Sequence, residues 1–209
     1  MLFDPSFVYR LPAVIIALVF HEYAHAQAAD MLGDRTPRYA GRLTLNPLSH
    51  LDPIGFLSLW VFRFGWAKPV PINPYNFRNR DRGLLLSSLA GPTMNIFLAF
   101  LTLWFMKLTR TPLAVYGGAA IPYYLLMYNV WLAVFNLIPV PPLDGSRALG
   151  VLLGPGSRLG SRFFDEMERY GWVVLLILVW SGVIGTIMAP LAGGLLSVLD
   201  ALAGVLTPF

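Results

Sequence analysis

The 209-residue chain contains no cysteine, which excludes disulfides and thiolate metal sites. A metal held here would have to use histidine and carboxylate. Charge is scarce as well: Asp, Glu, Lys and Arg make up 12% of the residues, against about 25% in soluble domains. With 56% hydrophobic residues and a mean hydropathy of +0.63, that scarcity excludes a soluble fold and implies a multi-spanning membrane protein. The sequence has no internal repeat and no low-complexity stretch. Its basic residues are spread through loops without a stacking platform, so the net charge of +4 does not point to nucleic acid. The length leaves no room for a membrane bundle plus a large soluble domain, and a single transmembrane domain over residues 1–209 is expected.

What is present is a set of apolar runs. A span needs roughly 20 residues. Phe7 to Ala29, Leu84 to Leu108, Ala119 to Leu137 and Trp172 to Met188 meet or approach that length, and Leu191 to Leu206 is either a last short span or a hairpin partner. The expected fold is therefore an all-α polytopic membrane protein of about five transmembrane helices, or four if the C-terminal run does not span, with core motifs over 21–145 and C-terminal helices over 171–207. Pro53 to Phe64 is apolar but too short to cross and is read as a re-entrant or interfacial piece. Tyr39 to Asn46 alternates loosely, which suggests a short membrane-associated β-element. Gly65 to Arg82, with Pro69, Pro71 and Pro74, reads as an extended loop at the membrane surface.

Positive charge orients this plan. If the first helix enters with its N-terminus outside, segments 30–83 and 146–170 are cytoplasmic and carry 12 of the 15 basic residues; only Arg10, Lys107 and Arg110 lie outside.

Inside the first apolar run stands His21-Glu22-Tyr23-Ala24-His25. Residues four apart share one face of a helix, so His21 and His25 can present imidazole nitrogens to one zinc ion. Glu22 then falls beside the metal, where it can take a proton from the attacking water. Polar side chains at membrane depth cost on the order of 3 kcal/mol or more each, so a cluster of three argues for a site. A third ligand has to come from elsewhere, and no glutamate lies between Glu22 and Glu166. The acids between them include Asp30, Asp34, Asp52, Asp81 and Asp144. Asp30 and Asp34 read as solvated helix-end residues, and Asp52, before Pro53, as a cap or turn residue. Asp144 differs, because it follows a spanning helix broken by Pro139, Pro141 and Pro142 and precedes Gly145. That arrangement can turn a carboxylate back toward the first helix, or it is an Asp-Gly turn at the membrane surface. His50 is open between a fourth ligand, a substrate-side gate and a loop histidine that forms hydrogen bonds.

Three elements in order, H-E-Y-A-H at 21–25, Gly91-Pro92-Thr93-Met94-Asn95, and Asn136 followed by Pro139 and Leu143-Asp144-Gly145, resemble the pattern of the site-2 protease family of intramembrane zinc metalloproteases. The match covers residues 21–145. The resemblance implies one zinc ion held by His21, His25 and Asp144, with Glu22 as general base. It also implies cleavage in or near the transmembrane segment of a membrane protein substrate, close to the cytoplasmic face of the cell membrane. Segments 34–48 and 65–82 resemble the family's membrane-dipping β-elements, which present substrate as an added strand. The chain is similar to the minimal branch of the family, without the PDZ or CBS domain that many relatives carry.

Asn136 and Asn95 are candidate oxyanion donors, since an amide adds no charge to a dry site. The competing role for both is helix–helix hydrogen bonding. Two other classes compete with a protease. A metal transporter favours repeats and a file of ionisable residues, and this chain has one cluster. A catalytically dead scaffold has no need of Glu22. Partners expected are the lipid bilayer and a transmembrane substrate; the sequence does not set the oligomeric state.

Overall fold

The computed structural model describes residues 6–62, 65–112, 117, 120–154 and 170–207. These residues form α1 (Phe7–Leu32), α2 (Thr36–Tyr39), α3 (Pro53–Phe62), α4 (Arg80–Leu108), α5 (Ala120–Leu137), α6 (Asp144–Leu152), α7 (Tyr170–Trp180) and α8 (Val183–Val205). Four of them, α1, α4, α5 and α8, are long and apolar enough to cross a membrane. Large apolar side chains remain exposed on their outer faces, among them Phe97, Phe105, Ile187, Leu191 and Val198, as expected of a surface solvated by lipid.

The bundle is built on close approach. Ala13, Ala17, His21, His25 and Ala29 recur at intervals of four along α1 and are all buried. Meeting them on α4 are Ser87, Gly91 and Asn95. Small residues bring helix backbones together in a membrane, where burial of apolar surface supplies no driving force. α1, α4 and α5 pack mutually. On the other side of α4 and α5 lies an aliphatic core of Leu103, Met106, Leu126, Val130, Ile184, Met188 and Leu199, which joins them to α8.

Local sequence sets the helix ends. α1 stops at Gly33, whose φ of 113° is left-handed and whose N–H returns to the Ala29 and Asp30 carbonyls. Asn79 caps α4, its side chain accepting from the Arg82 N–H. Pro139, Pro141 and Pro142 end α5, and α6 restarts at Asp144.

Several expectations need correction. Among the described residues there is no β-strand, only an isolated antiparallel bridge between Leu51 and Ala67. Pro37 nucleates α2 in the place expected for a strand, and Pro69 and Pro71 lack the N–H groups a ladder requires. The run expected to be re-entrant is the ten-residue helix α3, capped by Asp52, whose Oδ1 accepts from the N–H groups of Ile54 and Gly55; residues 63–64 lie outside the described residues, and among the described residues nothing supports a re-entrant path. The C-terminal run does not form spans at 172–188 and 191–206. It breaks at Ser181-Gly182, where Gly182 has φ 76°, into α7 and α8.

Asp34 is not a solvated helix end. It is fully buried, and its carboxylate accepts from the Thr36 N–H (3.0 Å), the Thr36 hydroxyl (2.5 Å), the Asn73 N–H (2.7 Å) and Asn76 Nδ2 (2.9 Å). Burial alone would push this carboxyl up, but the hydrogen bonds from Thr36, Asn76 and Asn73 outweigh it and hold it below the usual carboxylate range. The loop before α4 is thereby tied to the end of α1. Asp30 is paired with Arg38 in a two-pronged contact of 2.8 and 2.6 Å.

Candidate metal centre

The structure brings His21, His25 and Asp144 together. The two Nε2 atoms are 3.0 Å apart, and Asp144 Oδ2 lies 3.3 Å from His21 Nε2 and 3.2 Å from His25 Nε2. A tetrahedral zinc with bonds of about 2.0–2.2 Å holds its ligand atoms roughly 3.3 Å apart. These three form the group of potential metal ligands found among the described residues.

The outer nitrogens decide which way the lone pairs point. His25 Nδ1 lies 2.7 Å from the Ser87 carbonyl, which can only accept, so Nδ1 carries the proton. His21 Nδ1 lies 2.6 Å from Asn95 Oδ1. The Asn95 amide nitrogen donates to the Ala17 carbonyl at 3.1 Å and to Asn129 Oδ1 at 2.8 Å, which fixes its oxygen toward His21. In the neutral imidazoles both Nε2 atoms are therefore left with their lone pairs free, and they face one point together with a carboxylate oxygen. That arrangement suits a cation and fits zinc.

The glycines of the motifs make room for this. A Cβ on Gly91 would sit 2.3 Å from His25 Nε2 and 2.6 Å from His21 Cε1. A Cβ on Gly145 would sit 2.3 Å from the Leu137 carbonyl oxygen, so the start of α6 fits under the end of α5 only without a side chain.

A cavity of about 500 Å³ opens over the three ligands, and Glu22 and Asn136 line it. Glu22 is half-buried, and its Oε2 accepts from the Val70 N–H at 3.1 Å. Asn136 donates from Nδ2 to Leu132 O at 3.0 Å. Both Nδ2 hydrogens of Asn95 already have acceptors. His50 stands apart from the ligand group. It is buried in the loop after α2, with Nε2 donating to the Thr44 carbonyl at 2.7 Å. Three contributors escape a reading of the sequence: Asn129, Val70 and Arg147. Asn129 is two helical turns before Asn136, and Arg147 lines the cavity one turn after Asp144; helical spacing was a usable signal for both. Val70 acts through its backbone and has no side-chain signature.

Comparison with known proteins agrees with this geometry. The profile described as peptidase family M50 matches residues 107–179. A Bacillus subtilis protein named "Putative zinc metalloprotease YwhC" is 38% identical over 176 residues, covering 81% of this chain and 79% of its own length. The chain belongs to peptidase family M50, the site-2 proteases. Other M50 relatives include "Putative zinc metalloprotease Rip2" of Mycobacterium tuberculosis strain H37Rv, 31% identical over 180 residues (82% of this chain, 66% of the relative). "Putative zinc metalloprotease MJ0611" of Methanocaldococcus jannaschii is 27% identical over 148 residues (68% and 70%). No solved structure matches. As an M50 member with four apolar helices, this is a multi-pass membrane protease, and zinc is the metal that its donor set and its relatives' names imply.

Proposed function

We propose that this site-2 protease hydrolyses a peptide bond in or near the transmembrane segment of membrane protein substrates. In this reading residues 1–209 act as one protease domain in the cell membrane, with the metal centre toward the cytoplasm. His21, His25 and Asp144 are the ligands and Glu22 is the general base. The observation that carries the proposal is the convergence of two imidazole nitrogens and a carboxylate oxygen at 3.0–3.3 Å, inside an apolar bundle and beside Glu22, which lines the same cavity.

Zinc, when bound, supplies an electrophile that polarises the scissile carbonyl and acidifies the attacking water. The protein supplies the rest. Glu22, held through Oε2, takes a proton at its other oxygen and returns it to the leaving amine. Asn136 has a second Nδ2 hydrogen available for the developing oxyanion. Asn95 has none left for substrate, and we assign it to positioning: it fixes the tautomer of His21 and links α1, α4 and α5. The cytoplasmic orientation rests on the distribution of basic residues, since segment 30–83, at the end of the bundle that holds the metal centre, carries eight of the fifteen.

Glu22→Gln tests the assignment. Zinc content is expected to stay at one per chain while cleavage of a reconstituted transmembrane substrate falls by about 10²–10⁴-fold; undiminished cleavage would overturn the role of Glu22. Asp144→Asn is expected to lower zinc occupancy, and full occupancy with full activity would remove it from the ligand set.

A further inference from the structure

We propose that residues 66–73 form a strap whose purpose is to hold the Glu22 carboxylate, with Arg42 as its principal positioning residue. The inference rests on the assignment of Glu22 as general base and concerns how that base is aimed.

The strap is extended by its own sequence. Lys68-Pro69-Val70-Pro71 places a proline after Lys68 and another after Val70, and a residue before proline is confined to extended conformations. Proline has no N–H, so Val70 carries the one backbone donor from 69 to 71. That donor meets Glu22 Oε2 at 3.1 Å. A stiff segment with a single N–H is suited to fixing one carboxylate oxygen and leaving the other for a proton.

The strap is anchored on both sides of Val70. On the far side, Asp34 accepts from the Asn73 N–H at 2.7 Å. On the near side, the Lys68 N–H donates to the His50 carbonyl at 2.8 Å and Ala67 bridges to Leu51. Arg42 closes this corner. Its guanidinium donates from Nη1 to the Ser49 carbonyl and, at 3.3 Å, to the Lys68 carbonyl. Arg42 is only 6% exposed, and it makes no ion pair among the described residues. Burying a charge without a counter-charge is costly, and what this one obtains is the fixed position of Lys68, two residues before the donor to Glu22. Gly55 adds a close contact, since a Cβ there would lie 2.2 Å from the Trp66 carbonyl oxygen.

The test uses the full-length zinc-loaded protein in detergent or liposomes. Val70→Pro removes the donor, and Arg42→Met removes the anchor. Each is expected to lower kcat about ten- to a hundredfold, with KM within about twofold and zinc at one per chain. Val70→Ala keeps the N–H and loses several-fold less than Val70→Pro. Arg42→Lys recovers most of the loss, and adding Arg42→Met to Val70→Pro lowers kcat no further, because both act through one N–H. Hydrogen exchange gives a readout independent of turnover: the 66–73 peptide exchanges slowly in the wild type and faster in Arg42→Met and Glu22→Ala. If Val70→Pro fails to fold, Arg42→Met and the exchange measurement decide. Wild-type kcat in the strap variants, or exchange unchanged by Arg42→Met, overturns the strap while an inactive Glu22→Gln leaves the base in place. An active Glu22→Gln instead overturns the base.

Discussion

Gly91 shows how tightly single residues are constrained at this site. Its missing side chain is the space that His25 Nε2 and the edge of His21 occupy, and a Cβ would come within 2.3 Å of the first. α1 and α4 cannot separate to relieve the clash, because Asn95, one turn on, ties α4 to the Ala17 carbonyl. Gly91→Ala should therefore push the ligands off their common point: zinc content at equilibrium with a competing chelator is expected to fall at least tenfold, with an overpacking cost of about 1–3 kcal/mol. Wild-type zinc retention would show that the helices yield. At this scale much was readable beforehand. His21, Glu22 and His25 share a helix, and their spacing alone suggests the proposed chemistry. Asp144 stood out among the acids by its place after the broken helix, but choosing it over Asp52 needed either a family pattern or coordinates, because 119 residues separate it from His25. The work of Asn129 and of the Val70 N–H depends on which atoms meet across helices, and local sequence does not encode that.

Among the elements, the long helices follow from apolar runs bounded by Gly33, Asn79 and the prolines after Leu137, and these could be read directly. The segments between them could not. Alternation at Tyr39 to Asn46 suggested a strand, but Pro37 and the buried hydrogen bonds of Asp34 decided the path of that loop. Asp34 also gives the loop a pH dependence. Its folded-state carboxyl titrates below its unfolded value of about 3.9. Its contribution to stability is therefore complete above about pH 4 and is lost as pH falls through the lower folded value. Asp34→Asn should cost about 2–3 kcal/mol at pH 6. The gap in melting temperature between variant and wild type should narrow toward pH 2.5. The comparison belongs on chelator-treated protein, so that protonation of the metal ligands does not contribute. A gap that stays constant from pH 6 to pH 2.5 would sink the assignment.

At the scale of the whole molecule, the placement of the C-terminal helices is what differs most between sequence and structure. Hydropathy placed two apolar segments after residue 170, and two segments of that length read naturally as a hairpin returning to the starting side. In the structure α7 and α8 together run from one end of the bundle to the other, and α8 alone is long and apolar enough to cross. α7 begins against the loop before Asp144, where a Cβ on Gly171 would meet the Pro141 carbonyl oxygen at 2.6 Å. α8 reaches the opposite end of the bundle, where Asp200 pairs with Lys107 at 2.8 Å, in the last turn of α4. A left-handed glycine at 182 cannot be told by hydropathy from a glycine inside a helix, which is why the break was not legible. The absence of cysteine makes the difference measurable without background labelling. Single substitutions Tyr75→Cys, Thr109→Cys and Leu206→Cys place a thiol at three exposed positions. With a membrane-impermeant maleimide on intact cells, Thr109→Cys and Leu206→Cys should react together, and Tyr75→Cys only after the membrane is opened. Leu206→Cys reacting with Tyr75→Cys instead would restore the hairpin, and Tyr75→Cys reacting on intact cells would reverse the orientation assigned to the metal centre.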